Sequence, residues 1–410
     1  MKNFRRILML AFWLASANAL AQATAVGNTV YDAGIAEELR VRDGLPNFFK
    51  KLKAGEDVRV GYFGGSITNG GEWRTKSFEW LKKEYPNAKL TQINAAIGGK
   101  GPDFGAARVK DHLLVHKPDM VFIEFRVNNG GAFRGRALEG IVRQIREFDP
   151  NIDICFVYTI SKNMISDIAA GKQTKAGRFM ELVANHYGIT SIEFGLEVVK
   201  LLDENKLVFK KGDASDKGKI LFSRDGTHPL AAGHDIYMDV LVRSLKAIDN
   251  VGTPGPKTIP PALNKNAFSN AKLVPVARAK FSEHWQKAVL TDADIHADLS
   301  DKNGNFKPLF GEAMQTVNVG ESLTIDWQGF LLGLTITQGG KQSIQVEVST
   351  DGGPTKKIDM LSGIERSGAK YVFLDEVPAG KHSTTVKLIK LAPGMTFQVG
   401  QFLVIDEPKK

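Results

Sequence analysis

The sequence predicts an α/β fold: a three-layer α/β/α domain with a parallel sheet, followed by a C-terminal antiparallel β-sandwich. Three observations carry this prediction. Short apolar runs alternate with helical patterns from about residue 57 to 248, four prolines follow within 251–264, and the hydrophobic period then changes to two. The 410 residues are enough for two or three domains.

The strands of the first domain are near-continuous apolar runs, which is typical of strands covered on both faces. They are predicted at 58–63, 89–94, 120–125, 152–159 and 189–193. Helices are predicted between them, near 73–85, 104–116, 137–148 and 175–187. A further helix is expected to begin at Pro229, because proline suits the first helical position.

In the C-terminal part, apolar residues alternate with polar ones, as in Leu323/Ile325/Trp327 and Val386/Leu388. This period fits strands that bury one face. The predicted division of the chain is therefore a signal peptide at 1–21, an α/β domain with an N-terminal lead-in at 22–250, a linker at 251–264 and a β-sandwich domain at 265–410.

Residues 1–21 have the pattern of a secretory signal peptide. A basic start precedes the apolar run from Ile7 to Ala15, and Ala19-Leu20-Ala21 offers small residues for cleavage before Gln22. The run is short for a membrane span, which leaves an uncleaved anchor or a buried helix as the alternative. Cleavage removes three basic residues and lowers the formal net charge from +9 to +6. We expect an exported protein, periplasmic or secreted, with no integral membrane segment and no nucleic-acid partner.

Two short motifs carry residues suited to acyl-transfer chemistry. Ser66 follows Gly64-Gly65 at the end of the first strand, where a tight turn can expose its hydroxyl; phosphate-binding turns and plain turns share this pattern. In Asp225-Gly226-Thr227-His228, a carboxylate three residues before a histidine can orient the imidazole. The second imidazole nitrogen can then accept a proton from a serine.

Two other strand ends offer candidate donors for an oxyanion. Gly98 follows the second strand in Ala96-Ile97-Gly98-Gly99, and Asn128 follows the third in Arg126-Val127-Asn128-Asn129. A backbone amide or a side-chain amide aimed at developing negative charge accelerates acyl transfer.

The order Gly-Gly-Ser, Ile-Gly-Gly, Val-Asn-Asn and Asp-x-x-His at successive strand ends resembles the SGNH hydrolases (the GDSL esterase superfamily) over roughly residues 55–248. The resemblance implies a flavodoxin-like domain with Ser66 as nucleophile, His228 as base and Asp225 as its partner. It also implies an oxyanion hole formed by Ser66, Gly98 and Asn128, and a mechanism without a metal or organic cofactor.

The sequence departs from the family pattern at three positions. Gly65 replaces the aspartate of G-D-S, Arg126 replaces the small first residue of G-x-N-D, and Asn129 replaces its aspartate. We expect Arg126 either to narrow the pocket or to contact an acidic substrate.

Trp73 and Arg74 join Arg126 as candidate substrate-binding residues, because similar sugar esterases carry Gly-Trp-Arg after the nucleophile. A sugar ring can stack on Trp73; equally, the indole can pack a helix onto the sheet. Cys155 lies in an apolar strand and is predicted to be a buried thiol. His112 and His116 have a helical spacing compatible with metal binding, but no Glu or Asp accompanies them in a zincin arrangement, so no metal site is predicted there.

The expected function is hydrolysis of O-acyl esters, more narrowly O-acetyl esters, on an oligo- or polysaccharide. Export, the appended β-sandwich and similarity to secreted carbohydrate esterases favour this class. The alternatives are a lipid or lysophospholipid esterase, an O-acyltransferase, and a glycan-binding protein built on an inert hydrolase scaffold.

Overall fold

The computed structural model describes residues 30–131, 133–288, 312–336, 344–360 and 370–407, which form two compact units. The first unit contains the described residues up to Gly101, with His116–Gly135 and Ile145–Leu263. The second contains Pro102–Val115, Arg136–Gln144 and the described residues from Asn264 onward. The signal peptide predicted at 1–21 lies outside the described residues, and the predicted domain boundaries stay a prediction.

A six-stranded sheet is the centre of the first unit. Its strands are β1 (Leu39–Arg40), β2 (Asp57–Gly64), β3 (Lys89–Asn94), β4 (Met120–Glu124), β5 (Asp153–Tyr158) and β6 (Thr190–Glu193). Their order is β1-β6-β5-β4-β2-β3; β2 to β6 are parallel, and β1 is an antiparallel edge on β6. A separate parallel pair consists of β7 (Leu207–Lys210) and β8 (Ile220–Ser223).

Strand β2 is the point at which the strand order reverses. It pairs with β3 on one side and with β4 on the other, so its carboxyl end faces the crevice in which open α/β sheets bind their ligands. Gly64, Asn94 and Glu124 end these three parallel strands at one edge of the sheet. The loops that follow these strands are therefore expected to form the site.

The helices of the described residues are α1 (Pro46–Ala54), α2 (Ser66–Asn69), α3 (Glu72–Glu84), α4 (Pro102–His112), α5 (Arg134–Phe148), α6 (Ile165–Ala169), α7 (Lys175–Tyr187), α8 (Gly195–Asp203) and α9 (Ala231–Ile248). Side chains of α1, α3, α8 and α9 form one buried apolar cluster with one face of the sheet, whereas α7 packs on β5 and β6 through a different set of side chains. Helices on both faces confirm the predicted three-layer α/β/α fold. Among the described residues, no helix has the length and apolar character needed to cross a membrane.

Local signals fix the ends of two helices, the predicted α7 and the unpredicted α1. Helix α7 begins after Thr174, whose hydroxyl accepts a hydrogen bond from the amide of Gly177, and it ends at Gly188 with φ of 65°. Helix α1 begins at Pro46 and ends at Gly55 with φ of 71°. These residues are visible in the sequence and act locally, so such boundaries are predictable.

The start of α9 differs from its prediction at Pro229. This residue is extended and forms an isolated antiparallel bridge with Ser223, and the amide of Leu230 donates to the carbonyl oxygen of Phe222 at 2.7 Å. The helix therefore begins at Ala231. Pairing with the end of β8 outweighs the preference of proline for the first helical position.

The second unit is an antiparallel β-sandwich, as predicted. Its strands are β9 (Asn270–Val274), β10 (Lys280–Phe281), β11 (Gln286–Lys287), β12 (Met314–Thr316), β13 (Ser322–Gly329), β14 (Leu331–Ile336), β15 (Ile344–Thr350), β16 (Lys356–Asp359), β17 (Lys370–Phe373), β18 (Gly380–Leu391) and β19 (Phe397–Asp406). One sheet has the order β10-β13-β18-β15-β16; the other has β11-β12-β19-β14-β17, with β9 also on β19. Helix α4 belongs to this unit and packs on β9 and β19.

Candidate active site

The turn that carries Ser66 connects β2 to α2. Ser66 is the first residue of α2, so its amide has no acceptor within the helix. A Cβ on Gly64 would lie 2.4 Å from the carbonyl oxygen of Glu124, and one on Gly65 would lie 1.8 Å from Oδ1 of Asn128. Neither glycine has a positive φ. Glycine is needed here because neighbouring segments approach closely, not because the backbone angles demand it.

Ser66, His228 and Asp225 form a continuous chain of hydrogen bonds. The Ser66 hydroxyl lies 2.8 Å from Nε2 of His228, and Nδ1 of His228 lies 2.7 Å from Oδ2 of Asp225. The His228 and Asp225 side chains are about half exposed, at 51% and 56%. A reactant can therefore reach these three hydrogen-bonded side chains from solvent.

The Asp225 carboxylate is held by several donors. Its Oδ1 accepts from the amides of Thr227 and His228, at 2.8 and 2.9 Å, and from the Ser223 hydroxyl at 3.0 Å. Partial burial acts to raise the pKa of Asp225, but the hydrogen bonds from the His228 side chain and these donors prevail and hold it well below its usual value. An ionised carboxylate accepts from Nδ1–H, which leaves Nε2 of His228 as the acceptor for the Ser66 hydroxyl.

The two predicted oxyanion donors lie on loops that contact the Ser66 turn. The amide of Ile97, next to Gly98, donates to the carbonyl oxygen of Gly64 at 3.0 Å. The Asn128 side chain packs against Gly65, as the close approach of its Oδ1 indicates. The structure thus brings all five predicted core residues of the site to the carboxyl edge of the sheet.

Trp73 packs inside the first unit. Its side chain is fully buried, and its ring makes edge contacts with Tyr62, Phe194 and Phe122 at centroid distances of 5.6, 5.9 and 6.1 Å. This geometry matches the packing alternative, and it offers no face for a sugar to stack on.

Arg74 braces the turn from the side of α3. Its Nε donates to the carbonyl oxygen of Thr68 at 3.0 Å, Nη2 donates to that of Asn69 at 3.1 Å, and Nη1 bonds the side chain of Gln92. These carbonyls belong to the last turn of α2, which starts at Ser66. Arg74 thus satisfies helix-end acceptors below the nucleophile turn.

Arg126 is also buried, and its side chain forms an ion pair with Glu193 in which both side chains are fully inaccessible. The guanidinium therefore offers nothing to an acidic substrate at the surface. The structure places Arg126 beneath the Asn128 turn and not in the wall of a pocket.

Residues 62–236 match the family model described as GDSL-like Lipase/Acylhydrolase family. This segment is therefore similar to the GDSL-like lipase/acylhydrolase family. The match confirms the SGNH resemblance and the predicted enzyme class, a hydrolase of carboxylic esters. No curated protein matches the chain.

Solved structures resemble this chain in fold. One is a two-domain esterase active on acetylated mannans, which matches with a TM-score of 0.73 and 21% identity over 93% of this chain and 99% of that chain. A second structure of that esterase, co-crystallised with mannopentaose, matches equally well. An acetylxylan esterase from Geobacillus stearothermophilus matches with a TM-score of 0.36 and 17% identity, covering 47% of this chain and 96% of its own. The first likeness extends the fold assignment to both parts of the chain.

Sequence reasoning missed a buried carboxylate beneath the candidate active site. Glu124 is fully buried; its Oε1 accepts from the Thr159 hydroxyl at 2.7 Å and its Oε2 from the Thr68 hydroxyl at 2.9 Å. Burial raises its pKa to about 7, although both hydroxyls, the Gly65 amide and Arg126 act to lower it. The signal in the sequence that could have revealed Glu124 is its position at the end of an otherwise apolar strand.

The described part of the chain contains no group of three or more His, Cys, Asp or Glu side chains arranged to hold a metal ion. His112 and Cys155 are buried, and burial raises the pKa of the Cys155 thiol far above its usual value. Ser66 is therefore the better nucleophile in this part of the chain.

Proposed function

We propose that this protein is a serine esterase that removes O-acyl groups, more narrowly O-acetyl groups, from a carbohydrate by way of an acyl-enzyme. The observation that carries the proposal is the hydrogen-bond chain from Ser66 through His228 to an ionised Asp225. The fold of a two-domain esterase active on acetylated mannans supports the choice of an acetylated polysaccharide.

In the first half-reaction, Oγ of Ser66 attacks the ester carbonyl carbon while Nε2 of His228 takes the hydroxyl proton. Negative charge develops on the former carbonyl oxygen, where we assign the amides of Ser66 and Gly98 and the side-chain amide of Asn128 as donors. The imidazolium, stabilised by Asp225, then protonates the departing sugar oxygen. An acyl group remains on Ser66.

In the second half-reaction, His228 takes a proton from water, whose oxygen attacks the acyl-enzyme. The tetrahedral intermediate collapses, the proton returns to Ser66, and the carboxylic acid leaves. In both half-reactions, His228 is the protein group that takes and returns the proton.

The test compares the wild type with Ser66→Ala and with the control Cys155→Ala on p-nitrophenyl acetate, p-nitrophenyl octanoate and acetylated glucomannan. We expect the wild type to release acetate. Ser66→Ala should lower the rate of release by at least about 10³-fold, and Cys155→Ala should leave it unchanged. A preference for octanoate would favour a lipid esterase. Acetyl loss from the donor without free acetate would favour an acyltransferase, and a folded but inactive wild type that binds glycan would contradict the proposal.

We also propose that the protein is exported, with a signal peptide at 1–21, an SGNH domain at 22–250, a linker at 251–264 and a β-sandwich domain at 265–410. The basic, apolar and Ala-Leu-Ala segments support export. Expression in a bacterial host followed by N-terminal sequencing should give Gln22 as the first residue. A mature chain that starts at Met1 would contradict export by cleavage.

A further inference from the structure

The Asn128 side chain has little to hold its direction. Its Oδ1 is buried and has no hydrogen-bond partner among the described residues. Among the described residues, two features orient the side-chain amide of Asn128. One is the backbone of its turn, in which the N–H of Asn128 donates to the carbonyl oxygen of Phe125 at 3.0 Å, and the other is packing against Gly65. The position of this turn therefore decides where the donor points.

Arg126 attaches this turn to the next strand of the sheet. Its Nε and Nη2 both donate to the carbonyl oxygen of Thr159, at 2.9 and 2.7 Å. Thr159 directly follows β5. The planar guanidinium makes both bonds from one fork, which a lysine ammonium on its flexible stem cannot reproduce.

Glu193 holds the other side of the same guanidinium. Its Oε1 accepts from Nη2 of Arg126 at 2.7 Å and from the amide of Gly195 at 2.9 Å, and its Oε2 pairs with Nη1. Gln173 closes the group, since its Nε2 donates to Oε2 of Glu193 at 2.8 Å. The ends of β5 and β6 are thus tied through one buried cation to the turn after β4.

We propose that the Arg126–Glu193 ion pair is a positioning device for Asn128: it fixes the turn so that the Asn128 amide points at the oxyanion. The inference rests on the proposed function, because it assigns Arg126 a role through a donor that acts only in acyl transfer. Arg126 is a positioning residue, since its buried side chain does not contact substrate.

The experiment is a double-mutant cycle in the full chain with p-nitrophenyl acetate. The variants are Asn128→Ala, Arg126→Lys and Arg126→Lys/Asn128→Ala, with Glu193→Gln as a second way to weaken the pair. Arg40→Lys is the matched control, because Arg40 also pairs with a buried glutamate, Glu181, at 2.5 Å. Urea unfolding of every variant gives the stability loss that the two buried pairs share.

We expect Asn128→Ala to lower kcat by about 10²–10³-fold and Arg126→Lys by about 10–100-fold, with KM little changed. In the Asn128→Ala background, Arg126→Lys should change kcat by less than about threefold, because the donor it positions is already gone. Glu193→Gln should behave in the same way, and Arg40→Lys should leave kcat near the wild-type value.

Fully additive losses in the cycle, or an equal loss of kcat in Arg40→Lys, would overturn the positioning role. An unaltered kcat in a folded Arg126→Lys would do the same. Failure of the proposed function has a separate signature, which is activity that does not depend on Ser66. If Arg126→Lys does not fold, the cycle of Glu193→Gln with Asn128→Ala decides the question.

Discussion

Replacing Gly65 with alanine tests how closely the Asn128 side chain sits on the nucleophile turn. Gly65 is extended, with φ of −94° and ψ of −156°, so no positive φ excludes an alanine here. The added Cβ, however, would lie 1.8 Å from Oδ1 and 2.7 Å from Cγ of Asn128. To reach ordinary van der Waals contact at 3.4 Å, Oδ1 must retreat by about 1.6 Å.

A displacement of this size removes the Asn128 donor from the oxyanion. Misplacing a reacting or stabilising group by about 1 Å costs on the order of 10²-fold in rate, and loss of one oxyanion donor costs about 10²–10³-fold. We therefore expect Gly65→Ala to lower kcat by about 10²–10³-fold. The substrate's ground-state contacts are unchanged, so KM should move little.

The assay is steady-state hydrolysis of p-nitrophenyl acetate, with circular dichroism to show that the variants fold. Gly130→Ala is the matched control, because a Cβ there meets nothing within 4 Å. In the double variant Gly65→Ala/Asn128→Ala the clash is gone, so its kcat should equal that of Asn128→Ala within about threefold. A Gly65→Ala enzyme within about threefold of wild type would refute the reasoning, as would a double variant more than about tenfold slower than Asn128→Ala.

Three further outcomes are expected. Asp225→Asn should lower kcat on the order of 10⁴-fold in the same assay, because the three donors at Oδ1 keep the amide oxygen there. The amide nitrogen then faces Nδ1 of His228 and forces the wrong tautomer. Glu124 has a pKa of about 7 in the folded protein, against an ordinary value of 4.5, so it binds a proton more tightly when the protein is folded. Its contribution to the free energy of unfolding should therefore fall by about 3 kcal/mol as the pH rises from 4.5 to 7. Urea unfolding should show that the free energy of unfolding falls more steeply with pH in the wild type than in Glu124→Gln. If the free energies of the two proteins change with pH in parallel, the assignment to Glu124 is wrong. Trp73→Ala should lower the free energy of unfolding by about 3–5 kcal/mol, whereas Trp73→Phe should leave KM for an acetylated oligosaccharide unchanged, because the indole is fully buried.

The sequence predicted the parallel sheet well because its signals are local. Strand β3 at Lys89–Asn94 and helix α7 at Lys175–Tyr187 have the predicted bounds, and β2 differs by one residue at each end. The predicted start of α9 was wrong because a backbone pairing decides it: Pro229 pairs with Ser223, which the helical preference of a single residue does not reveal. The short edge strand β1 was missed for a similar reason, since its two residues become a strand only by pairing with β6.

The same contrast applies to the site. Residue types and their order predicted which side chains meet, because the ends of neighbouring parallel strands share one edge. They could not predict what lies beneath that edge. Whether Arg126 points to a substrate or to Glu193 depends on the ends of β5 and β6, which lie 33 and 67 residues further along the chain. Trp73 is a comparable case, because its contacts with Phe122 and Phe194 are equally remote in sequence.

The three departures from the family motif have linked physical causes. Gly65 leaves room for the Asn128 amide, and Arg126 replaces a small residue with a side chain that crosses to Glu193. Asn129 is 2% exposed, and neither atom of its side-chain amide has a hydrogen-bond partner among the described residues. A carboxylate at that position would be an unpartnered buried charge, in a segment that already follows the buried Glu124, and such a charge costs far more than a neutral amide. Once Arg126 is committed to Glu193, no cation of the turn remains to compensate an aspartate at 129, so the neutral residue follows from the buried pair.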